Sequence, residues 1–200
     1  MLRRFLKDST LYSIPFFLNG IVSIILVPLY TRVLSPADYG AIDIISVIST
    51  VVIATVSLQI TQAVGRLWPD ASDSKERVQY ASVALWFSIA TLGLSLIIGL
   101  LFSRSFSYWV FGTGGNELVF QLAVWAIFFV GIFDVLQNQL RWELRSTQAV
   151  VSSVITLLVS VVVSIILILV YRWGLIGVYS GTILGNFIGV LVAIYYLRNS

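Results

Sequence analysis

Residues 149–170 read AVVSSVITLLVSVVVSIILILV, and residues 175–197, after the turn YRWG, read LIGVYSGTILGNFIGVLVAIYYL. Neither stretch contains a charged residue. An α-helix needs about 20 mainly apolar residues to cross the hydrocarbon core of a bilayer. The two stretches therefore predict a pair of transmembrane helices joined by a tight turn, and this pair sets the class of the fold.

The rest of the chain has the same character. Of its 200 residues, 58% are hydrophobic and 10% are charged, whereas soluble domains are about 25% charged. We therefore predict an all-α membrane protein, a six-transmembrane-helix bundle that forms a single lobe over residues 1–200. The predicted spans are Leu11–Leu34, Tyr39–Val64, Val78–Phe102, Leu118–Leu140, Ala149–Val170 and Leu175–Leu197.

The basic residues are unevenly divided between the two sides of these spans. Nine fall on the side of the termini and three on the other: the first group is Arg3, Arg4, Lys7, Arg66, Lys75, Arg77, Arg141, Arg145 and Arg198, and the second is Arg32, Arg104 and Arg172. Because Lys and Arg concentrate in cytoplasmic loops, we expect a multi-pass protein of the cytoplasmic membrane with both termini in the cytoplasm. Phe106–Phe111 then predicts an aromatic anchor at the outer interface, followed by a flexible glycine-rich turn.

The composition also argues against several functions. The chain contains no cysteine and no histidine, so the commonest general base and the commonest metal ligands are missing. The run Gly112–Gly115 is not a phosphate-binding loop, because no Lys-Ser/Thr pair follows it. We expect no enzyme activity, no catalytic residue, no metal or cofactor, and membrane lipids rather than nucleic acid as partners.

Small and hydroxyl-bearing residues recur at helical spacing in the last two spans. These residues are Ser153, Thr156, Ser160 and Ser164 in one span and Gly177, Gly181, Gly185 and Gly189 in the other. Such residues let transmembrane helices approach closely. We predict that the two helices pack with Ser153, Thr156 and Ser160 set against Gly177, Gly181 and Gly185.

Charged and amide side chains form a second kind of pattern. Asp134, Asn138 and Arg141 share one face of the fourth span, and Asp43 lies about one turn inside the second. Ionisable residues inside a membrane are costly and mostly face a bundle interior or a wet cavity. Asp134 is therefore either half of a structural pair with an Arg on a neighbouring helix or part of a polar site open to the cytoplasm. In the second case, the residues that line the same vestibule are Gln59, Gln62 and Arg66.

Three motifs carry a resemblance to a known family: PLYTRVLSPADYG at Pro28–Gly40, QITQAVGR at Gln59–Arg66, and LRWE at Leu140–Glu143. The first is similar to the loop after the first helix in polysaccharide transporters, the oligosaccharide flippase family of the multidrug/oligosaccharidyl-lipid/polysaccharide exporter superfamily. The other two resemble the ends of that family's second and fourth helices. Members have two lobes that face each other across a cavity, and this chain matches the N-terminal one.

The resemblance implies that the chain flips a lipid-linked oligosaccharide or polysaccharide precursor across the membrane together with a second transmembrane lobe. This lobe is either the missing half of a longer protein, which we favour, or another chain. The candidate phosphate-binding residues are Arg32 at the outer mouth and Arg66 and Arg141 at the inner mouth. Two alternatives remain: an ion-coupled drug exporter that uses Asp43 or Asp134, and a non-transporting membrane assembly protein.

Overall fold

The computed structural model describes residues 2–112 and 116–198, with side chains described from Ser13 onward except those of residues 14, 16 and 25. Within these ranges the chain is almost entirely helical, with no strand. The helices are α1 Leu2–Val33, α2 Pro36–Val56, α3 Ile60–Leu67, α4 Ser74–Leu101, α5 Ser103–Phe111, α6 Glu117–Trp142, α7 Ser146–Leu169 and α8 Leu175–Arg198. A short 3-10 turn at Trp68–Asp70 connects α3 to α4.

The lengths and compositions of these helices confirm an all-α membrane bundle. Among the described residues, 5 helices are long and apolar enough to cross a membrane, namely α2, α4, α6, α7 and α8. In α1 the corresponding apolar stretch, Phe17–Val33, is shorter. Helix α6 lies at the centre of the bundle and packs against α4 on one side and α8 on the other.

Helices α7 and α8 form the closest pair. A Cβ added at Gly181 would lie 2.7 Å from both Ser160 O and Ser164 N, and one at Gly185 would lie 2.7 Å from Thr156 O. The glycines thus bring the two backbones together, as predicted from their spacing.

The predicted contact is confirmed for Thr156 and Ser160 with Gly181 and Gly185, and it is wrong for Ser153 and Gly177. Gly189 faces Thr156 and Gly177 faces Ile168, and Ser153 is not among the nearest neighbours of any of the four glycines. Ser152 is buried instead, because it turns towards α6. Residues spaced by three and four along a helix cover a broad face, so the sequence alone allowed either serine to lie at the contact. Contacts with the neighbouring helices determine which serine is buried.

The second predicted span, Tyr39–Val64, is not continuous. Helix α2 ends at Val56, and Leu58 and Gln59 adopt left-handed conformations with φ of 47° and 54° before α3 begins. The backbone N–H and the hydroxyl of Ser57 both donate to Ile53 O, at 3.2 and 2.5 Å. Neither left-handed residue is glycine, so the break costs conformational energy that packing of α3 must offset.

That packing is visible at the far end of α3. Val64 and Trp68 are buried in a cluster with Ala81 and Ala84 of α4. The rings of Trp68 and Trp142 lie 5.5 Å apart. The break therefore redirects the chain so that the apolar face of α3 meets α4 and the end of α6.

The segment between Leu101 and Gly112 also differs from expectation. The aromatic residues form a helix, α5, which ends at Gly112 with φ 68°, a conformation that favours glycine. Phe106 stacks on Phe120 of α6 at 5.7 Å, whereas Tyr108 and Trp109 of the predicted anchor are exposed. Thr113, Gly114 and Gly115 of the predicted flexible turn lie outside the described residues.

Candidate functional site

A line of polar side chains on α6 is left uncovered by the rest of the bundle. Asp134 and Arg141 are exposed and Asn138 is half-buried, whereas Leu136 and Leu140 on the opposite face are among the most buried residues of the chain. The Asn138 amide donates to Asp134 O at 2.9 Å and to Asp134 Oδ2 at 3.2 Å. The three residues therefore share one polar face, as the sequence predicted, and hydrogen bonds join two of them.

The two charges of this face, Asp134 and Arg141, lie on the same helix. Arg141 interacts electrostatically with the Asp134 carboxylate two turns away. Within the described part of the chain, the single ion pair with an N···O distance under 4.0 Å joins Arg145 and Glu143 at 3.4 Å. An interhelical Arg partner for Asp134, the structural alternative, is therefore not seen among these residues.

Helix α2 carries a second exposed polar line. Asp43, Ser46 and Thr50 are all exposed. The Ser46 hydroxyl donates to Asp43 O at 2.8 Å, and the Thr50 hydroxyl donates to Ser46 O at 3.0 Å. Both hydroxyls thus bond their own helix, and the Asp43 carboxylate is the group on this line that remains to be solvated or bound.

The capping of α2 explains part of the family-like motif. Ser35 Oγ accepts from Asp38 N at 3.1 Å, and Asp38 Oδ2 accepts from Ser35 N at 3.1 Å. This reciprocal pair is a capping box, and Pro36 follows as the first helical residue. The Ser-Pro-x-Asp segment therefore starts a helix.

The candidate residues at the other end of α2 lie beside the end of α6. The Gln59 amide reaches back to Ala54 O at 3.4 Å, and Gln62 and Arg66 are exposed on α3. A Cβ at Gly65 would lie 2.9 Å from Trp142 Nε1. Because Arg66 follows Gly65 and Arg141 precedes Trp142, the structure brings these two basic residues to one end of the bundle.

Arg32 lies elsewhere. It lines a shallow surface pocket at the end of α1 together with Pro28, Val33 and Leu169 of α7. Asp43 is near the start of α2. The eight candidates therefore divide into Gln59, Gln62, Arg66, Asp134, Asn138 and Arg141 along α3 and the second half of α6, and Arg32 and Asp43 towards the opposite end.

Sequence reasoning missed one polar contact inside the bundle. Gln137 is buried, and its amide donates to Ser152 Oγ at 2.6 Å and to Ala149 O at 3.2 Å. The signal was a glutamine within an apolar helix, three residues after Asp134 and about 60° from it around the helix. This contact links α6 to α7 and fixes which face of α6 is left for Asp134.

Comparison with known proteins gives one match. Residues 5–200 match a family model described as "Polysaccharide biosynthesis protein". No curated protein matches this chain, and no solved structure does. The match extends over nearly all the helices described above, including both polar lines.

Proposed function

This chain belongs to the polysaccharide biosynthesis protein family, and on that premise we propose that it is one lobe of a transporter. The transporter flips a lipid-linked oligosaccharide or polysaccharide precursor across the cytoplasmic membrane. The lobe works with a second transmembrane lobe, in the same protein or in another chain. The proposal includes no catalytic step and no cofactor.

The observation that carries this proposal is the uncovered polar face of α6. Asp134 and Arg141 are charged, lie on a membrane-crossing helix and are exposed. Exposure of a charge to lipid at the centre of a bilayer costs at least about 2.5 kcal/mol. A face with two charges and an amide is therefore expected to meet water or a second lobe, as the wall of a transport path would.

The basic residues have a role in this mechanism. Arginine binds phosphate through two parallel hydrogen bonds, so Arg66 and Arg141 would hold the diphosphate of the substrate at the inner mouth while its lipid tail stays in the bilayer. Arg32 would meet the same group at the outer mouth. Movement of one lobe against the other would expose the site to each side in turn.

Transport by the protein together with its second lobe tests the assignment. Arg141→Ala should reduce flipping of a lipid-linked oligosaccharide in reconstituted vesicles while membrane abundance stays near normal. Arg145→Ala is the matched control, because Arg145 is paired with Glu143 and should transport normally. Loss of transport only through loss of folded protein, or equal effects of the two variants, would contradict the site.

An ion-coupled exporter is the second candidate, and the Asp134 carboxylate favours it. This acid is exposed on a membrane helix and hydrogen-bonded to Asn138, an arrangement that suits proton or cation binding. Asp134→Asn should abolish dependence on an ion gradient if the carboxylate is the coupling site. Normal transport by both Asp134→Asn and Arg141→Ala would favour the assembly role instead.

The proposed orientation has its own test. The chain has no cysteine, so single cysteines can be introduced without background. A cysteine in place of Ser105 on α5 should react with a membrane-impermeant reagent from outside the cell. One in place of Lys75 at the start of α4 should react only after permeabilisation. The reverse pattern would overturn the N-in, C-in topology.

A further inference from the structure

An apolar groove lies along the first half of α6, on the same face of that helix as the polar line of its second half. Its volume is about 440 Å³, within the range of roughly 300–1,000 Å³ typical of ligand pockets. It lies between α2, α4, α5 and the first half of α6, and its lining is hydrocarbon apart from Ser95 and Gly99. Water would find few polar partners there, so the groove is not built to hold water.

The groove has a buried floor and an open rim. Leu96, Phe120 and Ala123 of the floor are buried, whereas Ile44 of α2 and Ile98 of α4 on the rim are each nearly half exposed. The opening therefore lies between two helices that are long and apolar enough to cross a membrane.

Helix α5 covers one end of this groove. Ser103 and Ser107 face the bundle, while Arg104, Tyr108 and Trp109 are exposed. Exposed Trp, Tyr and Arg on a short helix are typical of the membrane–water interface. The groove thus extends from the interface into one leaflet.

A second, shallower pocket adjoins the groove at this end. Arg104, Ser105, Tyr108 and Trp109 line it, and Trp109 also lines the groove. Glu117, on the first turn of α6, accepts from Ser103 Oγ at 2.8 Å and from the Gln121 amide at 3.4 Å, and Arg104 forms no ion pair among the described residues. Arg104 thus presents a cation beside the mouth of an apolar channel.

We propose that the groove and Arg104 together form a binding site for a resident anionic phospholipid of the leaflet on the α5 side. One acyl chain lies in the groove between α2 and α4, and the phosphate of the headgroup contacts Arg104. The charge of Arg104 and the continuity of the two pockets through Trp109 determine this occupant. The site lies along the first half of α6 and uses none of the residues proposed to bind the transported substrate.

The two parts of the site contribute differently. Bilayer chains are as apolar as the groove, so moving one into it brings no hydrophobic gain, and packing alone favours it. Discrimination between lipids must come from the headgroup, where a guanidinium recognises phosphate and adds attraction for a net negative charge. We therefore expect occupancy to depend on the shape of the groove, and lipid preference to depend on Arg104.

Photolabelling of the full chain in phosphatidylcholine vesicles tests the site. The probe is phosphatidylglycerol with a photoreactive group in one acyl chain, at trace amount, beside a phosphatidylcholine probe with the same chain. We expect the phosphatidylglycerol probe to label peptides of α2 and α4 that line the groove more strongly than the lipid-exposed face of α8 around Leu191. The phosphatidylcholine probe should show a weaker preference.

Two pairs of proteins isolate the two parts. Ile48→Trp fills the groove and should remove the extra labelling, whereas Val47→Trp, on the exposed face of the same helix and outside the groove, should keep it. Arg104→Gln should reduce the preference for phosphatidylglycerol about fivefold, or roughly 1 kcal/mol. If Ile48→Trp lowers the amount of folded protein, Ile44→Trp on the rim replaces it.

Three outcomes would overturn the proposal. One is equal labelling of the groove and the α8 face, and another is extra labelling that survives both groove-filling variants. The third is displacement of the phosphatidylglycerol probe by an equal amount of an isoprenoid diphosphate probe, which would make the groove a site for the lipid-linked substrate.

Discussion

Helices α2 and α8 are both long and apolar, yet they differ in how many of their residues are buried in the bundle. Helix α8 buries ten residues against α6 and α7, including Gly177, Gly181 and Gly185, whereas α2 buries only Ala41 and Ile45. Lipid tails are as apolar as leucine, so apolar character alone does not drive two helices together. What separates the two is the row of small residues on α8, which permits close backbone contact.

The comparison suggests a division of work. The α7–α8 pair, with α6 beside it, is a fixed scaffold. Helix α2, with its break at Leu58 and Gln59, forms a wall of the bundle that is held mainly by local interactions. One face of that wall carries Asp43, and another lines the apolar groove through Ile48. Three substitutions would break or sharpen this distinction.

The largest effect is expected at Gly181. A leucine there would drive its side chain into Ser164 and the backbone of Ser160, and overpacking of a well-packed interface costs about 1–3 kcal/mol or more. We expect Gly181→Leu to cost more than about 3 kcal/mol because the backbones would have to separate. Thermal unfolding of the purified protein in detergent, followed by size-exclusion chromatography, measures the loss.

Gly93 of α4 provides the matched control, since a Cβ there would meet no atom within 4 Å. Gly93→Leu should leave the apparent melting temperature near that of the unchanged protein. If the two variants melted alike, the α7–α8 contact would not be the fixed part of the bundle.

An intermediate effect is expected at Gln137. Gln137→Leu removes the hydrogen bond to Ser152 Oγ and leaves the buried hydroxyl with Ala149 O at 3.1 Å. Interhelical hydrogen bonds in membranes average about 0.6 kcal/mol and reach about 1.7 kcal/mol, so we expect a loss in this range. A double-mutant cycle with Ser152→Ala gives the coupling energy. A value near zero would show that this hydrogen bond does not stabilise the scaffold.

The smallest effect, of opposite sign, is expected at the break in α2. Gln59 has φ 54°, and a left-handed conformation costs a non-glycine residue roughly 1–2 kcal/mol. Gln59→Gly should relieve this cost but add backbone freedom to the unfolded state, for a net stabilisation of about 0.5–1 kcal/mol. Gly40→Ala is the control, because a Cβ there would meet no atom within 4 Å. It measures how much the backbone freedom of a glycine lowers stability elsewhere on α2. A destabilised Gln59→Gly protein would show that the break is not strained.

Much of the candidate site could be predicted from the sequence. Asp134, Asn138 and Arg141 fall on one face because a helix repeats every 3.6 residues, and that face is uncovered in the structure. The grouping of Gln62 and Arg66 with Arg141 at one end also followed from the alternation of spans, and the contact of Gly65 with Trp142 agrees with it. Arg32 was a candidate because it lies in the family-like motif, and Asp43 because a charge inside a membrane is costly. The structure places both towards the opposite end of the bundle.

The sequence by itself determined the membrane class and the small-residue pairing of α7 with α8, because each depends on composition or on a period along one helix. Its motifs carried the resemblance to the family. Only the tertiary structure decided that α2 breaks after Val56, that Ser152 and not Ser153 turns inward, and that α5 is a helix beside an apolar groove. Each of these depends on a partner from a distant part of the chain: Trp142 for α3, Gln137 for Ser152 and Phe120 for α5. A period along one helix specifies which residues share a face, and contacts between helices specify what that face meets.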